Sequence, residues 1–273
     1  MAAASLPPDA RPWRLDELTL DDARRLDWQV AVLPMGATEP HNLHLPYGTD
    51  SIEASSLADA CCSRAWELGG RIVQLPTLPF GTETNLQRFP LAINLQPSTL
   101  FAVLRDVVQT LESSGISKLL IFNSHGGNDF KPFLREMYGR TPVHIFLCNW
   151  YQMIGDVAQQ ICQHRDDHAG EMETSLILHF RPELVRYAQP GQLAADAGER
   201  RELRFEALRH GWVSLTRPWH LLTTNSGSGN PHQATAAKGG QLTAAIVERV
   251  APFLAELSAA EVDEWFPFVG PDA

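Results

Sequence analysis

Short, wholly apolar runs alternate along the chain with longer stretches whose apolar positions recur every three to four residues. The short runs are residues 29–34 (Gln-Val-Ala-Val-Leu-Pro), 71–75, 118–122 and 143–148. Runs of this length without polar alternation predict strands buried on both faces. Residues 51–68 carry an apolar face through Ile52, Ala58 and Trp66 and meet Gly69-Gly70, which predicts a helix and its stop. A second helix is expected from an N-cap at Ser98 through Leu100, Val103, Leu104, Val107, Val108 and Leu111, ending at Ser113-Ser114-Gly115. A third starts near Gly170 and runs through Leu176 to Phe180. Residues 234–257, with Ala244, Ile246, Val247, Val250 and Phe253, form a long closing helix. Strands alternating with helices predict βαβ units, an α/β fold with a mostly parallel sheet covered on both faces. Such sheets bind ligands beyond the carboxyl ends of their strands. Both the Glu39/His41 segment and the His125 segment lie at such ends.

Composition narrows the function classes. The 273 residues are 44% apolar and 20% charged, so a large core is expected. We read residues 1–15 as a flexible tail, without the basic and apolar regions of a signal peptide, and residues 16–273 as one domain. The net charge of −10 argues against nucleic acid or an anionic membrane as partner. No apolar run approaches the roughly 18 residues of a membrane helix. The four cysteines, Cys61, Cys62, Cys148 and Cys162, have neither CxxC spacing nor a disulfide framework, which points to a reduced, cytoplasmic setting.

Four polar segments carry the candidate chemistry. The first is Glu39-Pro40-His41, with Asp50 nine residues further on. Glu39 and His41 share one side of an extended segment. Carboxylate oxygen mixed with imidazole nitrogen suits zinc, manganese or iron better than calcium. The ordinary alternatives are an exposed polar loop for Glu39 and His41 and a helix N-cap for Asp50. His44 is either an outer partner or a loop histidine. The second segment is Asn123-Ser124-His125-Gly126-Gly127-Asn128, in which the glycines allow close backbone approach and the asparagines hold the loop. In the third, His168-Ala-Gly-Glu171-Met-Glu173-Thr-Ser175, Glu173 shares a helix face with Leu176 and Ile177. A carboxylate there is costly unless paired or metal-bound. Glu171 fits a first-turn capping or dipole role, and His168 a proton carrier. The fourth, residues 226–239, is a glycine-rich loop entering a helix, read as closing over a pocket or meeting a neighbouring subunit.

Together these segments resemble the creatininase (creatinine amidohydrolase) family. The family pattern P-x-G-S-x-E-x-H-G-x-H-L-P-x-x-x-D stands here as Pro34 to Asp50, and the pattern H-A-G-x-x-E-T-S as His168 to Ser175. The N-G-H-G-G-N pattern stands as Asn123 to Asn128, and G-D-P-x-x-A-T-x-x-K-G as Gly229 to Gly239, with Asn230 in place of Asp. The resemblance implies a three-layer α/β/α sandwich, assembly as a homo-oligomer, commonly a hexamer, and two divalent metals per chain (zinc, manganese or iron). It implies that Glu39, Asp50 and His125 hold one metal, and that His41 and Asp50 hold the other with Asp50 bridging.

The chain departs from each subgroup of the family. In members that act on creatinine itself, an acidic ligand of the second metal stands where Gly127 is here, and a tryptophan that packs the creatinine ring is absent from residues 163–166 here. Other members with His-Gly-Gly, a formamide-cleaving deformylase and a peptidase among them, carry a histidine where Leu86 stands and Gly-Thr where Leu91-Ala92 stand. The implied activity is amidohydrolysis of a small-molecule substrate, by hydroxide held between the metals, on a non-peptide or cyclic amide that is creatinine-like or formamide-like. His168 and Glu173 are the expected catalytic residues, with Glu173 completing the second metal or orienting His168. Arg88 or Arg165 is a candidate contact for an anionic substrate group. A peptidase of the same family, or a binding protein without turnover, are the alternatives.

Overall fold

The computed structural model describes residues 10–164 and 168–270. Its centre is a sheet of four strands, β1 (Val30–Met35), β2 (Ile72–Gln74), β3 (Lys118–Asn123) and β4 (His144–Asn149), in the order β2-β1-β3-β4. Every pairing in it is parallel. Successive residues of β1 serve opposite faces. Val30 and Val32 pack with Leu57, Cys61 and Cys62 of α1 (Thr49–Glu67), Leu176 of α4 (Glu171–Phe180) and Leu242, Ile246 and Val250 of α5 (Ala236–Ala259). Ala31, Leu33 and Met35 pack with Leu100, Leu104 and Val108 of α2 (Pro97–Ser113) and Phe133 of α3 (Lys131–Met137). A period of two with both faces apolar makes the strands continuous apolar runs, and three layers follow.

Register places the site. Met35 pairs with Asn123, the last residues of β1 and β3. Residues 36–50 and 124–128 therefore leave the sheet side by side. A bridge between Met35 and Leu78 brings the segment after β2 to the same edge. Gly36 turns the chain against the start of α1, where a Cβ would lie 2.6 Å from Ser51 Cα, closer than any side chain tolerates.

Some boundaries differ from the sequence reading. Helix α2 begins at Pro97, so Ser98 is inside it and not its N-cap; proline fits a first turn that needs no N–H. Residues 1–9 of the expected tail lie outside the described residues. Residues 11–15 are held in place: Trp13 accepts from Gln74 N at 2.6 Å and donates to Asp59 at 2.8 Å. Helix α3 and the hairpin Tyr187–Gln189/Gln192–Leu193 carry no periodic signal long enough to read from sequence. No described helix is long and apolar enough to cross a membrane.

Candidate metal centre

Glu39 and His41 come from the exit of β1, Asp50 from the first turn of α1, His125 from the exit of β3, and His168 and Glu173 from the entry and first turn of α4. They converge. Glu39 is 1% exposed, His41 0% and Asp50 1%, so the exposed-loop reading of Glu39 and His41 is excluded. The N-cap reading of Asp50 is also wrong, because Gly48 holds that position and Asp50 is turned inward to two histidines.

Asp50 joins two groups. Its Oδ1 lies 3.1 Å from His41 Nε2 and its Oδ2 lies 3.2 Å from His125 Nδ1. Glu39 Oε1 lies 3.0 Å from His125 Nδ1 and 3.6 Å from His168 Nδ1. Glu173 Oε2 is 4.0 Å from His41 Nε2. Each imidazole is oriented through its other nitrogen. His41 Nδ1 faces the Glu39 carbonyl at 3.0 Å, His125 Nε2 the Thr82 carbonyl at 3.3 Å, and His168 Nε2 the Pro40 carbonyl at 2.8 Å. A carbonyl only accepts, so these nitrogens carry the protons, and the opposite nitrogens face the carboxylates. Backbone carbonyls orient metal-binding histidines in this way. Asn42 and Ala169, next to His41 and His168, hold φ of 53°, a cost that persists only where neighbouring structure enforces it.

The donor set fits divalent metal. Glu39 approaches His125 at an ion-pair distance without hydrogen-bond alignment, and both its carboxylate oxygens, like Asp50 Oδ2, are buried with no hydrogen-bond partner among the described residues. Unpaired buried carboxylate oxygens are costly, and a cation removes that cost. Glu39/His41/His168, Glu39/Glu83/His125 and His41/Asp50/Glu173 each bring three donor atoms within 4.8 Å of one another. Mixed oxygen and nitrogen donors match zinc, manganese or iron.

Charge follows the same geometry. Burial disfavours the imidazolium of His41, but Asp50 outweighs it and raises the group to about 10. Burial opposes ionisation of Asp50, yet His41 and His125 hold it well below the usual carboxylate range. Burial and the His41 charge push His168 down to about 3. In metal-free protein the stabilisation from charged His41 is complete below its ordinary 6.5 and is lost as pH rises through about 10. Metal must displace that proton. Apparent metal affinity is therefore expected to rise about tenfold per pH unit for each proton released between those values. Chelator competition at pH 7 and pH 8 measures it; an affinity independent of pH contradicts it.

Other predicted residues have simpler places. Asn123 and Asn128 hold the His125 loop, with Asn123 Nδ2 donating to His125 O at 2.8 Å and Asn128 Nδ2 to Asn123 Oδ1 at 3.1 Å. His44 is buried against Thr174 Oγ1 at 2.7 Å, so it braces α4. Glu171 accepts from Gln163 N and His164 N and pairs with Lys238, tying α4 to α5. The glycine-rich segment does not line the pocket described below. Ser226 Oγ donates to Pro40 O at 2.7 Å and Ser228 bridges His168, so the segment braces the site from behind. Arg88 is exposed and away from the pocket lining, and Arg165 lies outside the described residues. Sequence reading missed Glu83 and Glu53, both buried carboxyls with no hydrogen-bond partner on either oxygen. Glu53 has a sequence signal, one turn after Asp50 on α1. It also missed the pocket wall formed by Leu215, Thr216, Arg217 and Trp219.

The sequence pattern of creatininase (creatinine amidohydrolase) matches residues 16–254. The chain belongs to the creatininase family. Among solved creatininase-like structures, a provisionally named creatinine amidohydrolase from Bacteroides fragilis superposes with a TM-score of 0.85. It is 34% identical, over 93% of this chain and 100% of that one. A manganese form of creatininase superposes at 0.74 with 20% identity, over 91% and 99%, which shows the fold. A mycofactocin precursor peptide peptidase from Mycobacterium ulcerans is 27% identical over 90% of this chain and 88% of its own length. Creatinine amidohydrolase of Pseudomonas putida is 28% identical over 57% and 66%. This creatininase-family protein is a hydrolase, and its candidate metal ligands sit where the family pattern Pro34 to Asp50 folds back on the exit of β3.

Proposed function

We propose that this hydrolase is a metal-dependent amidohydrolase acting on a small non-peptide or cyclic amide, creatinine-like or formamide-like. The observation that carries the reading is that Glu39, Asp50, His125, His168 and Glu173, members of three groups of metal-ligand type, line one pocket of about 420 Å³. That volume suits a small molecule. Bound divalent metal supplies a nucleophile from water at neutral pH and polarises the carbonyl.

The chain's own residues do the rest. Glu39, Asp50 and His125 hold one ion, and His41, Asp50 and Glu173 the other. His168 Nδ1 faces the ligand cluster with its lone pair, so it receives a proton from the attacking water and passes it to the leaving nitrogen. Glu173 accepts the Ala169 N–H and so fixes the residue beside His168. Trp219 meets the His168 ring edge-on at 5.0 Å, and with Leu86 and Pro97 it excludes water from that wall. The Arg217 guanidinium lies 5.2 Å from the Trp219 ring centre and is the one Lys or Arg among the described lining residues. It stands in place of exposed Arg88 as the contact for an anionic substrate group.

The similarity to mycofactocin precursor peptide peptidases favours a second reading, hydrolysis of a terminal peptide bond. Metal-loaded protein incubated with creatinine, hydantoins, N-formyl compounds and short peptides, with products read by mass spectrometry, separates the two. Ring opening or deformylation is expected; turnover of peptides alone moves the assignment to the peptidase. Tight binding without product identifies a binding protein instead. Homo-oligomeric assembly, as a hexamer, and a reduced cytoplasmic setting belong to the same proposal. Exposed Leu91, Tyr138 and Phe268 support the first, and four cysteines outside any disulfide support the second.

A further inference from the structure

Gly127 stands where members of the family that act on creatinine are expected to carry an acidic ligand, and the structure shows why no side chain is there. A Cβ at Gly127 would lie 2.3 Å from His125 Nε2 and 2.5 Å from the Thr82 carbonyl. The loop after β2 fills that space, and the next residue along it is Glu83. Glu83 is 0% exposed, its Oε1 is 2.8 Å from His125 Nε2, and neither oxygen has a hydrogen-bond partner among the described residues. The His125 Nε2 proton is directed to the Thr82 carbonyl instead.

The loop is anchored before any ligand arrives. Thr82 N donates to Asn128 Oδ1 at 3.1 Å and Glu83 N to Asn94 Oδ1 at 2.7 Å. Asn128 belongs to the His125 loop, so the two segments are locked together. Beside the His125 ring, no described residue hydrogen-bonds the Glu83 carboxylate, and burying it without such a bond is expensive.

We propose that Glu83 is an additional metal ligand, completing with Glu39 and His125 the ion site next to Asp50. The three donor atoms lie within 4.8 Å of one another. A buried carboxylate beside two others is stabilised by a cation among them. An oxygen-rich ligand set also favours manganese relative to zinc. The loop after β2 thus brings a carboxylate to the Glu39 and His125 side of Asp50.

This inference rests on the metal-centre reading above, and its test is read in metal binding, not turnover. Glu83→Gln and Glu83→Ala are compared with wild type by manganese and zinc titration of metal-free protein and by thermal melting with and without metal. Both variants are expected to lose at least about tenfold in affinity at one site, and more for manganese than for zinc. Both are expected to gain less in melting temperature than wild type on metal addition. Wild-type affinities at both sites in the variants overturn the role of Glu83 alone. A wild-type protein that takes up no manganese or zinc overturns the metal-centre reading itself.

Discussion

Asp50→Asn is expected to lose more than about two orders of magnitude in kcat/KM and to retain less than one metal per chain. Asp50 is the residue that touches both histidines, through Oδ1 to His41 and Oδ2 to His125. An amide of the same shape offers one neutral oxygen in place of two charged ones and cannot bridge two cations. The fold is expected to persist. Asp50 sits in the first turn of α1, while the helix is held by Leu57, Ala58, Cys61 and Ala65 in the core. Loss of the ion pairs costs metal-free protein a few kcal/mol, about the size of a broken buried pair. Elemental analysis and far-UV circular dichroism on the same sample make the check. Full metal content with wild-type turnover contradicts the bridging role.

His168→Gln should separate chemistry from metal binding. We expect kcat to fall by about 10²–10⁴ while metal content stays at the wild-type level. The reason is geometric. His168 lies against Glu39 at 3.6 Å and meets the tilted His41 ring with centres 4.2 Å apart, but its Nε2 is tied to Pro40 O and its other wall is Trp219. In metal-free protein, burial and charged His41 push it down to about 3. Loss of one metal equivalent in the variant would instead place His168 among the ligands, with Glu39 and His41, and would remove it as the proton carrier.

The layer order was legible in the sequence for physical reasons, and so were most of the candidate ligands that the structure brings together. Strands buried on both faces have no polar alternation, so residues 29–34 and 118–122 announced themselves, and the parallel sheet fixed where their exits meet. Glu39, His41 and Asp50 lie within twelve residues, and the structure brings them together with His125 as the resemblance implied. Glu173 was legible as a carboxylate on an apolar helix face. Glu83 was not, because its meaning depends on His125, brought to it from the exit of β3 on another segment by the sheet register. Arg217 and Trp219 come from a stretch without helical or strand period, so no pattern tied them to the pocket. Asp50 remained ambiguous from sequence because a carboxylate just before a helix can serve as an N-cap. Only the burial of its oxygens beside two imidazoles decides the matter.

The most direct test of the account is the metal content of wild-type protein purified without chelator and then reloaded with zinc, manganese or iron at pH 8. Two metals per chain are predicted, held by Glu39, His125 and Glu83 on one side of Asp50 and by His41 and Glu173 on the other. One metal or none after reloading would contradict the dinuclear centre.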